Sequence, residues 1–360
     1  MSESGDWKEQ LAKLRGSVAP VEKKKASEKP KEPGKRPAYT PPPQKKRSGP
    51  SRHGGGHREQ RYFLPADTLK VVEPQLGLNR QKIENFALLL NKCALFDTRS
   101  KQKKFILSRK ADRRRGVEGY RLTPNFKPVP VKDIAAQQKQ AIEGLGLQLA
   151  HIAPQAIDWR LIVGLGTESV YETSMTLHHV YGIPYIPGQA VKGVLRSWMI
   201  AEYFGENDNG ESEMKHAEKR ALRDKGFCDI FGCPKEGSAY KEARQGKTLF
   251  FDALPTKLTD NCIQPDIMNP HYGPYYSEDK PPADYHNPVP VNFLTVQNTA
   301  FEFFVGMKPP KPPQNGTIED DIWGGKTPLE VVQTELPEAL SMHGLGAKTA
   351  VGYGYFSNAE

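Results

Sequence analysis

From residue 153 onward the apolar positions alternate between short crowded runs and helical stripes. The run "WRLIVGLG", residues 159 to 166, predicts a buried strand, and "TSMTLHHVYGIPYIPG" after it reads as extended chain with turns. In "QAVKGVLRSWMIAEYFG", Val191, Leu195, Trp198, Met199 and Tyr203 fall on one face, which predicts a helix entered at Pro187 and Gly188 and ended at Gly205. A charged surface helix is expected over residues 211 to 224, then a strand in "GKTLFFDALP", residues 246 to 255. Residues 256 to 292 lack periodicity and are rich in Pro, Asn and Tyr, so they predict a long insertion, either functional or disordered. "NTAFEFFVGM", residues 298 to 307, alternates and predicts a strand. "TPLEVVQTELPEAL" predicts a helix despite Pro337, with Thr327 as N-cap and Pro328 in its first turn. A last strand is expected over Val351 to Phe356.

Strand, helix, strand, insertion, strand, helix, strand is the order of a ferredoxin-like α+β domain, RRM-like in leaving one face of an antiparallel sheet open. This places the domain at residues 153–360, with its insertion at about 256–292. Upstream, residues 62–152 read as a mainly helical accessory region. Ile83, Phe86, Ala87 and Leu90 lie at helical spacing, and a second helix is expected over Asp133 to Glu143. Between them "RSKQKKFILSRKADRRRG" carries nine basic residues and one acidic one around Phe105, Ile106 and Leu107. Such a stretch is either a phosphate-contacting surface or a solvated loop.

Charge changes the picture most at the start of the chain. Residues 1–61 contain 16 lysines and arginines against 7 acids, so the rest of the chain carries 35 of each sign and the whole formal excess of +9 sits in this arm. The arm is rich in Pro, Gly and Lys without apolar periodicity, so burial cannot offset its ordering entropy and disorder is expected. It reads as a polybasic arm that scans an anionic polymer or as a solubilising tail. It lacks the apolar core of a signal peptide, and no run reaches membrane-spanning length, so a cytoplasmic protein without membrane partners is expected. Cys93, Cys228, Cys233 and Cys262 are too scattered for a disulfide framework or a metal set, and reduced structural cysteines are expected. No metal or other cofactor is called for.

The tail "HGLGAKTAVGYGYF", residues 343 to 356, imitates a phosphate-binding loop. Ala347 splits the Gly-Lys pair that a P-loop requires, and too little chain follows for a nucleotide-binding helix. A backbone-lined anion site without a nucleotide, or turn geometry alone, remains. His178 and His179 are candidate general acids or bases for RNA cleavage, yet neighbours on extended chain face opposite sides and at most one can address a substrate. Asp158, Asp229 and Asp252 adjoin strands or turns without any evident pairing. Tyr272, Tyr275, Tyr276 and Tyr285 in the insertion suit either base stacking or subunit contact.

"YIPGQAVKGVLRSWM", "DIFGCP", "GKTLFFDA" and Gly344-x-Gly346-x5-Gly352-x-Gly354, in this order, resemble the signature blocks of the RAMP superfamily of CRISPR-associated proteins. "VYETSMTLHHVYGIPYIPG", "MNPHYGPYY" and "PVPVNFLTV" make the likeness strongest to the sixth-subunit family of the type III-B effector. The resemblance covers roughly residues 155 to 360 and implies a ribonucleoprotein subunit without catalytic residues of its own. The implied partners are guide RNA, target RNA, a backbone RAMP subunit, the small helical subunit and the two-domain RAMP subunit. Some members of the superfamily process guide RNA, and that role for His178 or His179 is the alternative. The residues expected to meet RNA are Gly188, Gln189, Lys192 and Arg196 on the first domain helix, and His343, Gly344, Gly346, Lys348, Gly352 and Gly354 in the tail loop. Lys192 and Arg196 lie one turn apart, able to follow a phosphate backbone or to form a plain exposed face.

Overall fold

The computed structural model describes residues 64–72, 83–94, 96–97, 104–105, 107–109, 120–206, 214–270, 281, 288, 290–310, 316–319 and 322–359. In chain order its main elements are α1 (Ala66–Val72), α2 (Phe86–Asn91), α3 (Val131–Gly144), β1 (Gln148–Ile157), α4 (Gly188–Phe204), α5 (Met214–Ala221), α6 (Lys225–Phe231), β2 (Thr248–Phe250) and β3 (Leu254–Pro255). They continue with β4 (Ile263–Met268), β5 (Val291–Val296), β6 (Ala300–Met307), α7 (Pro328–Glu338) and β7 (Phe356–Asn358).

The principal sheet runs β7-β1-β6-β2, every pair antiparallel, with β3 also on β6. Alternation along β6 divides its side chains between two faces. Phe301, Phe303, Val305 and Met307 enter one core with Val191, Leu195 and Met199 of α4 and with Val332 and Leu336 of α7. Phe304 instead stacks on His151 at 5.0 Å, whose ring nitrogen meets Glu302 at 2.6 Å. Phe86, Leu89 and Leu90 of α2 and Ile134 of α3 join the same core as the domain helices. Helices α2 and α3 lie at the two expected helical stretches, with short strand pairs between them, Phe96–Asp97 with Lys104–Phe105 and Ser108–Arg109 with Tyr120–Arg121, and the two helices share the domain's interior. Strand β1 itself straddles the expected boundary at residues 152 and 153.

Helix α7 begins as its sequence dictates. The Thr327 hydroxyl accepts from the Glu330 N–H at 3.2 Å while the Glu330 carboxylate accepts from the Thr327 N–H at 2.7 Å, a reciprocal capping box with Pro328 in the first turn. Pro337 supplies no N–H to the ladder, and the helix widens into a π-turn over Ala339–His343, closed by the Gly344 N–H on the Ala339 carbonyl at 3.1 Å.

Three expectations are corrected. Residues 159 to 166 bury only Leu161 and Ile162 and are not a strand of the sheet; the strand is β1 just before them, and they touch β5 through one bridge, Leu161 to Val296. The reason is long-range, since the Arg160 and Ile162 carbonyls bond the tail loop at Gly354 and Ala347. The final strand starts at Phe356, because Gly352 and Gly354 take φ of +90° and +79°, which no strand accommodates. The insertion at 256–292 holds a strand: β4 pairs with β5 over its full length, so the insertion emerges from a hairpin. Tyr272, Tyr275, Tyr276 and Tyr285, the arm at residues 1–61 and most of the basic stretch after Asp97 lie outside the described residues. Among those described, no helix is long and apolar enough to cross a membrane.

Thr327→Ala removes the cap without touching the core, and a loss of about 1 kcal/mol in urea unfolding is expected.

Candidate nucleic-acid interface

The tail loop is tied to the segment after β1 by main-chain hydrogen bonds. The Gly354 N–H donates to the Arg160 carbonyl at 2.7 Å, the Ala347 N–H to Ile162 at 2.8 Å, the Asp158 N–H to Tyr355 at 3.0 Å, and the Leu345 N–H back to Gly354 at 2.8 Å. A Cβ at Gly354 would sit 1.9 Å from the Leu345 oxygen, and one at Gly346 2.2 Å from that of Ile162. These two glycines serve backbone approach within the protein. Gly344 is buried against Thr349 and Tyr355, whereas Gly352 is exposed with open space where a Cβ would be. Lys348, at φ +64°, is a half-buried non-glycine residue in the left-handed region, just before the helical turn Thr349–Val351.

Around this lattice gathers a set of rings and charges. Arg160 pairs with the Asp266 carboxylate, which also accepts from the Tyr353 hydroxyl at 2.8 Å and the Ile267 N–H at 2.8 Å. Trp159 rests against Tyr353 at 4.7 Å between ring centroids, with the Arg160 guanidinium 5.3 Å from its ring. Tyr353 meets Phe293 edge-on at 6.1 Å, and the Lys348 ammonium stands 5.7 Å from the Phe293 ring. Burial pushes the Asp266 carboxyl up, but the bonds from Tyr353 and Ile267 and the Arg160 charge outweigh it and hold it below the usual carboxylate range. Burial and the Asp266 carboxylate push the Tyr353 phenol up to about 12. None of Trp159, Arg160, Asp266, Phe293 and Tyr353 stood out in the sequence. An adjacent Trp-Arg pair was the available signal, hidden inside an apolar run.

The helix α4 group is arranged differently. The Gly188 N–H donates to the Asp252 carboxylate at 2.8 Å, and a Cβ there would lie 2.3 Å from the Phe250 oxygen, so this turn is filled by the protein itself. Gln189 is exposed. Lys192 donates to the Phe231 carbonyl at 2.9 Å, and burial followed by Arg196 lowers its pKa. Arg196 pairs with Glu218 at 2.7 Å and lies over the Phe227 ring at 5.4 Å. These two cations face α5 and α6. His343 does join the helix, its Nε2 being 2.9 Å from the Ser197 hydroxyl, which brings one tail-loop residue to α4.

His178 occupies a closed turn. Its Nδ1 accepts from the Tyr181 N–H at 3.3 Å, its ring stacks on Tyr181 at 4.7 Å and meets Tyr185 edge-on at 5.6 Å. Burial lowers its pKa, with Asp252 opposing and His179 assisting. His179 is exposed, and its carbonyl accepts from Asn85 at 3.2 Å. Asp229 is buried with Tyr240 at 2.8 Å and Lys247 at 2.7 Å, fastening α6 to the chain before β2. Asp158 is exposed beside β1. The four cysteines are free and buried, and no cluster among the described residues could hold a metal ion.

The model of the RAMP superfamily matches residues 160–357, more than half of the chain. The chain belongs to the RAMP superfamily. This RAMP chain is 35% identical over 232 residues to the protein "CRISPR system Cmr subunit Cmr6" of Pyrococcus furiosus, covering 54% of this chain and 64% of that one. It is 28% identical over 201 residues to "CRISPR system CMR subunit Cmr6" of Saccharolobus solfataricus, covering 55% and 54%. The match thus spans less than two thirds of the length of these relatives. Among solved structures, a type III-B Cmr-beta complex bound to cognate target RNA is similar at TM-score 0.44 and 23% identity, covering 66% of this chain and 69% of that one. Cmr6 from Pyrococcus furiosus is similar at TM-score 0.34 and 30% identity, covering 59% and 100%. Likenesses in shape this distant do not bear on the RAMP site.

Two outcomes follow from the loop. Gly354→Ala must move the Leu345 carbonyl and should lower the unfolding midpoint far more than Gly352→Ala, which carries only the strain of a left-handed residue, about 1 kcal/mol. Asp266 has a depressed pKa in the folded chain, so its stabilisation is present above the unfolded value of about 4 and is lost as pH falls through the folded one. The stability gap between the protein and Asp266→Asn should therefore be level at neutral pH and close below about pH 4 in acid unfolding.

Proposed function

We propose that this chain is a non-catalytic RNA-binding and assembly subunit of a type III-B CRISPR effector complex, holding the 3′ region of the guide RNA while target RNA pairs with it. Membership of the superfamily and the relatives carrying the Cmr6 name support the complex, and with it a cytoplasmic setting and the three neighbouring subunit types. The observation that carries the RNA reading is the tail loop itself, where a half-buried Lys348 and an exposed Gly352 flank the turn Thr349–Val351, in a loop held by backbone hydrogen bonds. An exposed glycine and a lysine on a fixed backbone suit phosphate contact that depends on shape rather than on base identity. The antiparallel order β7-β1-β6-β2, with α4 between β1 and β2 and α7 between β6 and β7, supports a ferredoxin-like reading of the sheet.

Lys192 and Arg196 already hold Phe231 and Glu218, so first place in phosphate binding goes to Lys348, with Gly352 across the same turn, His343 against α4 and the α4 pair steadying the helix. Absence of catalysis is supported by His178, whose Nδ1 is engaged by a backbone N–H and whose ring is enclosed by tyrosines.

Lys348→Ala should weaken single-stranded RNA binding by the full-length chain irrespective of sequence, and lower the slope of log affinity against log salt by about one. An unchanged slope would remove Lys348 from the phosphate contact. Repeat-derived RNA incubated with the chain should stay intact. Specific cleavage abolished by His178→Ala or His179→Ala would establish the enzyme instead.

A further inference from the structure

Trp159 is a large ring at a place where it gains little from folding. It is 51% exposed although it touches Tyr353 and Arg160, so burial lost at this ring is not recovered within the described residues. Its support is rigid. Asp158 and Arg160 on either side are held by the Tyr355 and Gly354 main chain, and the Tyr353 hydroxyl and Arg160 guanidinium share the Asp266 carboxylate. Behind it the rings continue through Tyr353 to the buried Phe293, with the Lys348 ammonium at the far end.

We propose that Trp159, backed by Tyr353, is a stacking platform for one unpaired nucleobase of single-stranded RNA. The inference rests on the RNA-binding reading and deepens it by adding recognition of a base to recognition of phosphates. Cations flank the rings at both ends, the arrangement in which bases stack and the adjoining phosphates are neutralised. Lys348 makes no ion pair among the described residues, whereas the Arg160 guanidinium is already paired with Asp266. Lys348 therefore retains capacity for an anionic strand. A purely apolar protein partner would leave the Lys348 ammonium without an acceptor, which favours nucleic acid over such a surface.

The test titrates the full-length chain with a short polyuridine strand and with a strand of equal length carrying abasic sugars. Trp159→Ala and Trp159→Leu should each weaken binding of polyuridine about tenfold, while Trp159→Phe keeps most of the affinity. The leucine variant retains apolar bulk and so reads out stacking if the alanine variant is unstable. Salt slopes should match the parent protein, and all four proteins should bind the abasic strand alike. Equal affinity of parent and Trp159→Leu for polyuridine would overturn the platform while leaving phosphate binding intact. Binding of neither strand by the parent would overturn the RNA reading as well. Poorer incorporation of Trp159→Leu into the assembled complex, at unchanged RNA affinity, would overturn the platform in favour of a protein contact.

Discussion

The main-chain lattice between residues 158–162 and 345–355 is the constraint on which the rest of the site depends. It joins the stretch that leaves the central strand β1 to the stretch that leads into its edge neighbour β7, so the two ends of the domain close on each other. Peptide groups meet directly, and only residues without a Cβ fit at Gly346 and Gly354. Because the bonds are backbone to backbone, they leave the side chains of Trp159, Arg160, Lys348 and Tyr353 to gather at the junction. A loop fixed in this way presents cations and rings without a further ordering cost on binding, the condition for pre-organised recognition.

A second consequence concerns charge. The chain beyond its basic arm is balanced in sign, so recognition of an anion must come from placement of individual cations. Lys192 and Arg196 are spent inside the protein, one on the carbonyl that ends α6 and the other on Glu218 and Phe227. Lys348 is not. Two lysines that look alike on paper thus separate by what lies within reach of their ammonium groups, which sets whether neutralising a phosphate displaces an existing bond.

Much of the fold was legible because it follows from periodicity and capping. The stripe of Val191, Leu195 and Met199 and the Thr327 cap followed by Pro328 locate α4 and α7 to within a residue or two. What escaped is what depends on distant partners. Residues 159 to 166 are as apolar as a strand, and only the distant tail loop, claiming the Arg160 and Ile162 carbonyls, keeps them from being one. Ile263 to Met268 carries polar residues and a proline, and its strand character comes from pairing with Val291 to Val296. The glycine spacing was readable, but its division into internal packing at Gly346 and Gly354 and open space at Gly352 was not. The ring and cation cluster joins residues 159–160, 266, 293 and 348–353, and no local pattern announces such a meeting.

The central claim is that RNA lies across this junction rather than along helix α4. Ultraviolet cross-linking of the full-length chain to single-stranded RNA, followed by mass spectrometry of the peptides, addresses it directly. The account predicts adducts on the peptides holding residues 158–162 and 345–355; adducts confined to residues 189–196, or to the basic arm, would contradict it.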